Sequence, residues 1–196
     1  MVPYHKQLEA FIDSLKGKRP GLLLHACCAP CSSSVIEYLS PYFDISLYFC
    51  NPNIDTYEEY EKRAEELKRL VSEMPLSSEV KTVIAPYDHE CFEEMSKGLE
   101  ECPERGERCL RCYEMRLRKT FDYMKENGGF DYFGTTLTLS PLKNASVINE
   151  TGSKISGKYL PSDFKKKNGY LRSIQLSEEY CLYRQDYCGC KYSKKR

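Results

Sequence analysis

The chain has 196 residues, 41% of them hydrophobic, and a formal net charge of zero. That size and apolar content suit one packed domain and exclude a disordered chain. No apolar run approaches the ~20 residues that cross a bilayer, and Met1–Gln7 lacks the basic start and apolar stretch of a secretory leader.

The expected compartment is therefore the cytoplasm, with no membrane partner. There the 11 cysteines read as metal ligands or catalytic thiols rather than as disulfides. Charge is unevenly spread. Pro141–Arg196 holds 12 Lys and Arg against 5 Asp and Glu, leaving 17 against 24 for the first 140 residues. A basic C-terminal third fits an anionic partner such as RNA, or a solvated lysine-rich face.

In chain order, the apolar positions Leu8, Phe11, Ile12 and Leu15 predict a short N-terminal helix. Gly21–Ala26 is a buried strand running into Cys27-Cys-Ala-Pro-Cys31 and a helix over Ser32–Leu39, with Pro30 suited to its first turn. Asp44–Cys50 is a second strand. Thr56-Tyr-Glu-Glu59 reads as a capping box that opens a charged helix through Val71. Val80–Ile84 is a third strand, followed by the loop Pro86–His89 and a helix over Glu90–Lys97.

Gly106–Cys109 is a predicted turn and Leu110–Lys125 a long helix ended by Asn127-Gly-Gly129. Phe130–Gly134 is a fourth strand. The polar loop Thr135–Asn144 leads to a helix near Ala145–Thr151, and Tyr159–Arg196 reads as loop-rich and aromatic.

Strands alternating with helices imply an α/β fold, a mostly parallel sheet flanked by helices. The whole chain, 1–196, reads as a single α/β metalloenzyme domain. Its basic, aromatic C-terminal part, 152–196, is expected to pack on the site. Ligands in such folds sit at the carboxyl ends of strands. One sheet edge could thus collect the Cys27 loop, the Asp88 loop and the Thr135–Asn144 loop.

Three cysteine clusters carry the chemistry: Cys27, Cys28 and Cys31 at a strand-to-helix turn, Cys109 and Cys112 at a helix start, and Cys188 and Cys190 around Gly189. Helix N-termini favour thiolate, the ligand form. Seven thiols exceed the needs of one tetrahedral zinc; a 4Fe–4S cluster takes four, leaving three for a second metal or for redox chemistry. A structural zinc knot, a thioredoxin-like dithiol and buried apolar cysteines are the plainer alternatives. Cys50, Cys91, Cys102 and Cys181 have no partner at ligand spacing and read as core or incidental.

His25 is expected to hydrogen-bond near the site rather than ligate. Asp88 orients a ligand or caps the following helix. Thr135, Thr136, Thr138 and Ser140, ahead of Lys143 and Asn144, form a candidate phosphate or ribose site. Lys165, Lys166 and Arg172, interleaved with aromatics, fit single-stranded RNA, or a surface helix whose aromatics face the core.

These residues together resemble a known family, the QueH type of epoxyqueuosine reductase. The resemblance is carried by Leu23-Leu-His-Ala-Cys-Cys-Ala-Pro-Cys-Ser32, Cys109-Leu-Arg-Cys112, Thr135-Thr-Leu-Thr-Leu-Ser-Pro-Leu-Lys-Asn144, Ser162-Asp-Phe-Lys-Lys166 and Tyr183-Arg-Gln-Asp-Tyr-Cys-Gly-Cys190. It implies a HUP-like nucleotide-binding α/β fold and reduction of the epoxide of epoxyqueuosine to queuosine at the wobble position of tRNA. It also implies a 4Fe–4S cluster with a second mononuclear iron, held by Cys27, Cys28, Cys31, Cys109, Cys112, Cys188 and Cys190, and no cobalamin. Some relatives carry an aspartate where this chain has Cys31.

On that reading the anticodon loop carrying epoxyqueuosine is the partner, and an external donor supplies electrons. Asp88, Tyr183 and Asp186 are the candidate proton donors. Thr135, Thr136, Ser140, Lys143, Asn144, Lys165, Lys166, Arg172 and Arg184 are the candidate substrate contacts. The rival readings are a zinc-stabilised RNA-binding module and another iron–sulfur tRNA-modifying enzyme. An ATP-dependent thiolation enzyme usually carries a Gly/Ser-rich loop where this chain has Cys-Cys-Ala-Pro-Cys.

Overall fold

The computed structural model describes residues 2–194. Its four strands are β1 (Gly21–His25), β2 (Asp44–Phe49), β3 (Lys81–Ile84) and β4 (Tyr132–Thr135). They form one all-parallel sheet in the order β3-β2-β1-β4. The helices are α1 (Tyr4–Ser14), α2 (Ala29–Leu39), α3 (Tyr57–Glu73), α4 (His89–Ser96), α5 (Glu107–Asn127), α6 (Ala145–Ile155) and α7 (Gly169–Glu179). This is the expected α/β class. Among the described residues no helix is long and apolar enough to cross a membrane.

Alternation along the central strands decides the layers. Leu22 and Leu24 of β1, with Ile45, Leu47 and Phe49 of β2, pack with α1, α2 and α3 on one face. Leu23 and Tyr48 point the other way, toward Tyr113, Leu117 and Met124 of α5 and Ile148 of α6. The strands are buried on both faces, so they read as continuous apolar runs rather than alternating ones.

The chain proceeds from β1 outward to β2 and β3, then returns across the sheet to place β4 on the other side of β1. The gap beyond the carboxyl ends of β1 and β4 is therefore the switch point where such sheets bind ligands. His25 ends β1 directly between Tyr48 and Thr135. β3 lies at the far edge, so its following loop, with Asp88, stands away from that gap.

Three expectations need correction. The segment read as loop-rich contains α7, whose buried positions are Ser173, Leu176 and Ser177; two serines on the inner face hide the apolar period. The polar loop Thr135–Asn144 begins with a buried 3₁₀ turn over Thr136–Leu139. Only half the capping box forms: Thr56 Oγ1 accepts from the Glu59 N–H at 3.3 Å, but the Glu59 carboxylate turns to Arg63.

Candidate metal centre

The first cysteine segment sits at the end of β1. Cys28 caps α2, and Pro30 occupies its first turn, where a missing N–H costs nothing. Cys31 follows Cys28 by nearly one turn, so the sulfurs of Cys27, Cys28 and Cys31 all lie within 4.8 Å of one another. Thr136, from the turn after β4, accepts the Cys27 N–H at 3.2 Å and donates its hydroxyl to Cys27 Sγ at 3.4 Å.

The second segment opens α5, which begins at Glu107 rather than after Cys109. Cys109, Cys112 and Arg116 occupy one face of its first turns through their i, i+3 and i+4 spacing. The Arg105 N–H donates to Cys109 Sγ at 3.3 Å.

The third segment is Cys188-Gly-Cys190. The two sulfurs are 3.5 Å apart, and Ser193 Oγ lies 3.0 Å from Cys188 Sγ. Gly189 is at φ +111°, and a Cβ there would come within 2.8 Å of Ile54 Cγ1, so only glycine fits the turn. The Gly189 carbonyl accepts the Asp55 N–H at 3.0 Å, docking the pair on the loop after β2.

All seven of these cysteines line one cavity of about 320 Å³. Cys50, Cys91, Cys102 and Cys181 do not line it. Within each close group the thiols compete for charge. Hydrogen bonds from Cys28 and Cys31 hold Cys27 well below the usual thiol range, against the effect of burial. Its bond to Cys27 pushes Cys28 up to about 12. Cys188 is lowered to about 5, first by its bond with Cys190 and then by Ser193 and Lys143, while Cys190 rises for the same reason. One thiolate beside a protonated neighbour is what adjacent like charges produce. A bound metal cation would remove the conflict and deprotonate both.

The cavity wall supplies cations for such a thiolate set. Arg116 is buried; its Nε donates to His25 Nε2 at 3.2 Å and its Nη2 donates to Asn51 Oδ1. Burial pulls the Lys143 ammonium toward neutrality, but Cys27, Cys31 and Cys188 together keep its pKa above the ordinary value. Neither Arg116 nor Lys143 has a carboxylate partner among the described residues. Soft donors facing cations without carboxylate partners fit a thiolate-bound iron or iron–sulfur group.

The other anticipated residues divide. Ser140, Lys143, Arg184 and Asp186 line the cavity with the cysteines. Thr135 and Thr136 are buried behind it: Thr135 Oγ1 lies 2.9 Å from His25 Nδ1, and Thr136 holds Cys27. Asn144 caps α6 by accepting from Ser146 and Val147. Asp88 caps α4 and pairs with Lys119 at 2.9 Å. Tyr183 donates to Glu59 at 3.2 Å. Lys165 pairs with Asp163, and Arg172 makes a two-point contact with Glu37 at 2.9 and 2.6 Å. Lys166 and Arg172 line a second cavity, between α1, α2 and α7.

The family model described as epoxyqueuosine reductase QueH matches residues 22–196. The chain belongs to the epoxyqueuosine reductase QueH family. A Staphylococcus epidermidis protein named epoxyqueuosine reductase QueH is 45% identical over 98% of this chain and 84% of its own length. A Streptococcus pyogenes protein of the same name is 46% identical over 90% of this chain and 71% of its own. A Thermotoga maritima protein, also so named, is 32% identical over 88% of this chain and 89% of its own.

In this QueH family member, sequence reasoning passed over several residues at the cavity. Arg116 had a signal, its i+4 spacing from Cys112, but an arginine on a charged helix usually reads as solvated. Gln185 lines the cavity with a buried Oε1 that has no hydrogen-bond partner among the described residues. Ser173 reaches the cavity from α7, the helix that the apolar pattern did not reveal, and so does Tyr170, one of the aromatics read among the basic residues.

Proposed function

We propose that this chain reduces the epoxide of epoxyqueuosine in tRNA to the cyclopentene of queuosine, using a 4Fe–4S cluster and an adjacent iron held by its seven clustered cysteines. Membership of the QueH family supports the oxidoreductase activity in queuosine biosynthesis and hence a tRNA substrate. The observation that carries the cofactor reading is the convergence of seven thiols on one cavity, with Arg116 and Lys143 there to offset their charge. Eleven free thiols suit a reducing cytoplasm.

The reaction takes two electrons and two protons: both bonds to the epoxide oxygen break, a carbon–carbon double bond forms and water leaves. When bound, the iron–sulfur group and the neighbouring iron would supply the electrons one at a time and Lewis acidity toward that oxygen. The chain's own residues handle position and protons. Asp186, alone of the three anticipated proton donors, lines the cavity and is assigned the proton transfer to the leaving oxygen. The Lys143 ammonium stabilises negative charge developing there. Gln185 Oε1 accepts from a substrate hydroxyl, satisfying an atom otherwise buried without a partner among the described residues. Leu137, Leu139 and Phe92 form the apolar wall that limits water.

The test is turnover of tRNA carrying epoxyqueuosine by iron-loaded protein with a chemical reductant, read by mass spectrometry of the released nucleoside. Loss of one oxygen atom is the expected result. No conversion by protein with a full complement of iron and sulfide would overturn the proposal.

A further inference from the structure

Arg116 is one of three buried arginines that line the cavity. It is 3% exposed, although arginine is almost never fully buried without a partner charge. Its Nε lies 3.2 Å from His25 Nε2, a ring nitrogen that also stands 3.2 Å from the Cys50 carbonyl. The His25 Nδ1 lies 2.9 Å from Thr135 Oγ1. The guanidinium is fixed on its other side by Asn51, whose Nδ2 is in turn anchored on the Ala26 carbonyl at 2.9 Å.

The groups that hold Arg116 thus come from the carboxyl ends of β1, β2 and β4, the rigid rim of the switch point. None of these partners is a carboxylate, so none cancels the charge. Cys112, Cys27 and Cys188, one from each cysteine segment, all act on it and line the same cavity.

Resting on the cofactor reading above, we infer that Arg116 is a positioning residue that acts as the built-in counter-cation of the metal group, raising its reduction potential through a fixed charge. A fixed positive charge in a low-dielectric wall stabilises the more negative, reduced state of whatever the thiolates bind. His25, Thr135 and Asn51 serve to hold that charge still. This role is separate from the proton transfer assigned to Asp186 and from the Lys143 ammonium.

The experiment is spectroelectrochemical titration of iron-loaded wild type, Arg116→Gln and Arg116→Lys, with iron and sulfide counted in each sample. The expected result is a more negative midpoint in the glutamine variant at unchanged visible spectrum and iron content, with the lysine variant in between or near wild type. A folded glutamine variant that loses iron while the lysine variant keeps it also supports the counter-cation role. A fully loaded glutamine variant with the wild-type midpoint overturns it.

Where Arg116→Gln does not fold, Asn51→Ala carries the test, since it frees the guanidinium while keeping the charge in the chain. A shifted midpoint at full iron supports the inference, and an unshifted one overturns it. Wild-type protein that takes up no iron or sulfide is a different outcome. It would refute the cofactor reading itself.

Discussion

The side-chain amide of Asn53 donates to the carbonyl of Cys188 at 3.0 Å, across 135 residues of chain. Arg63 Nη1 reaches the same carbonyl at 3.4 Å. These contacts bring the last cysteine pair to the switch point, although no strand leads into that pair.

The turn between the pair tolerates only glycine, so Gly189→Ala should damage the site selectively. The added methyl meets Ile54, Asn53 and Arg63 at a backbone angle that non-glycine residues rarely adopt. The expected cost is about 1–3 kcal/mol of stability. Iron bound per chain should fall well below wild type. Thermal unfolding and metal analysis of one sample check both; a variant with wild-type iron content would show that the pair does not need this geometry.

Thr136→Val removes a hydroxyl that both accepts from the Cys27 backbone and donates to its sulfur. The shape is kept, so the loss should be about 1 kcal/mol of stability, the usual value of one hydrogen bond. Iron retention during dialysis against a chelator should shorten. Unchanged retention would mean that Thr136 holds the backbone alone.

Asp88 should matter for stability and not for turnover. Its bond with Lys119, helped by the Cys91 N–H, lowers its pKa below the ordinary carboxylate value. A depressed folded-state pKa contributes stability that is present above the unfolded value near 3.8 and fades as pH falls through the lower folded value. Urea midpoints against pH should therefore drop more steeply in acid for wild type than for Asp88→Asn. Activity at neutral pH should match wild type, and a variant that folds but cannot turn over would return Asp88 to the reaction.

The two neighbouring lysines should separate. Lys165 is occupied by Asp163 and by the Thr138 carbonyl at 3.3 Å, so Lys165→Ala should act mainly on stability. Lys166 has no carboxylate partner among the described residues. Lys166→Ala should weaken tRNA binding and reduce the slope of log affinity against log salt by about one. Binding titrations at several salt concentrations check this. Equal effects of the two substitutions would contradict the assignment.

The sheet was legible from the sequence because its strands are short apolar runs between turn signals, and the predicted Val80–Ile84 and observed Lys81–Ile84 differ by one residue. The three cysteine segments were legible from spacing. Strand order was not: nothing local distinguishes β3 at the edge from β4 beside β1, and that order is what removes Asp88 from the cavity. The pairing of Arg172 with Glu37 was hidden for a similar reason, since Glu37 lies 135 residues away from Arg172. Gln185 gave no signal because an uncharged side chain becomes conspicuous only when its oxygen is buried without a partner.

The most direct test of one shared metal site is anaerobic purification followed by absorption spectroscopy and iron and sulfide analysis of the same sample. The expected result is a brown protein whose broad visible band bleaches with dithionite, with about four sulfides and more than about four irons per chain. A colourless protein with about one zinc, unchanged after reconstitution with iron and sulfide, would contradict the account.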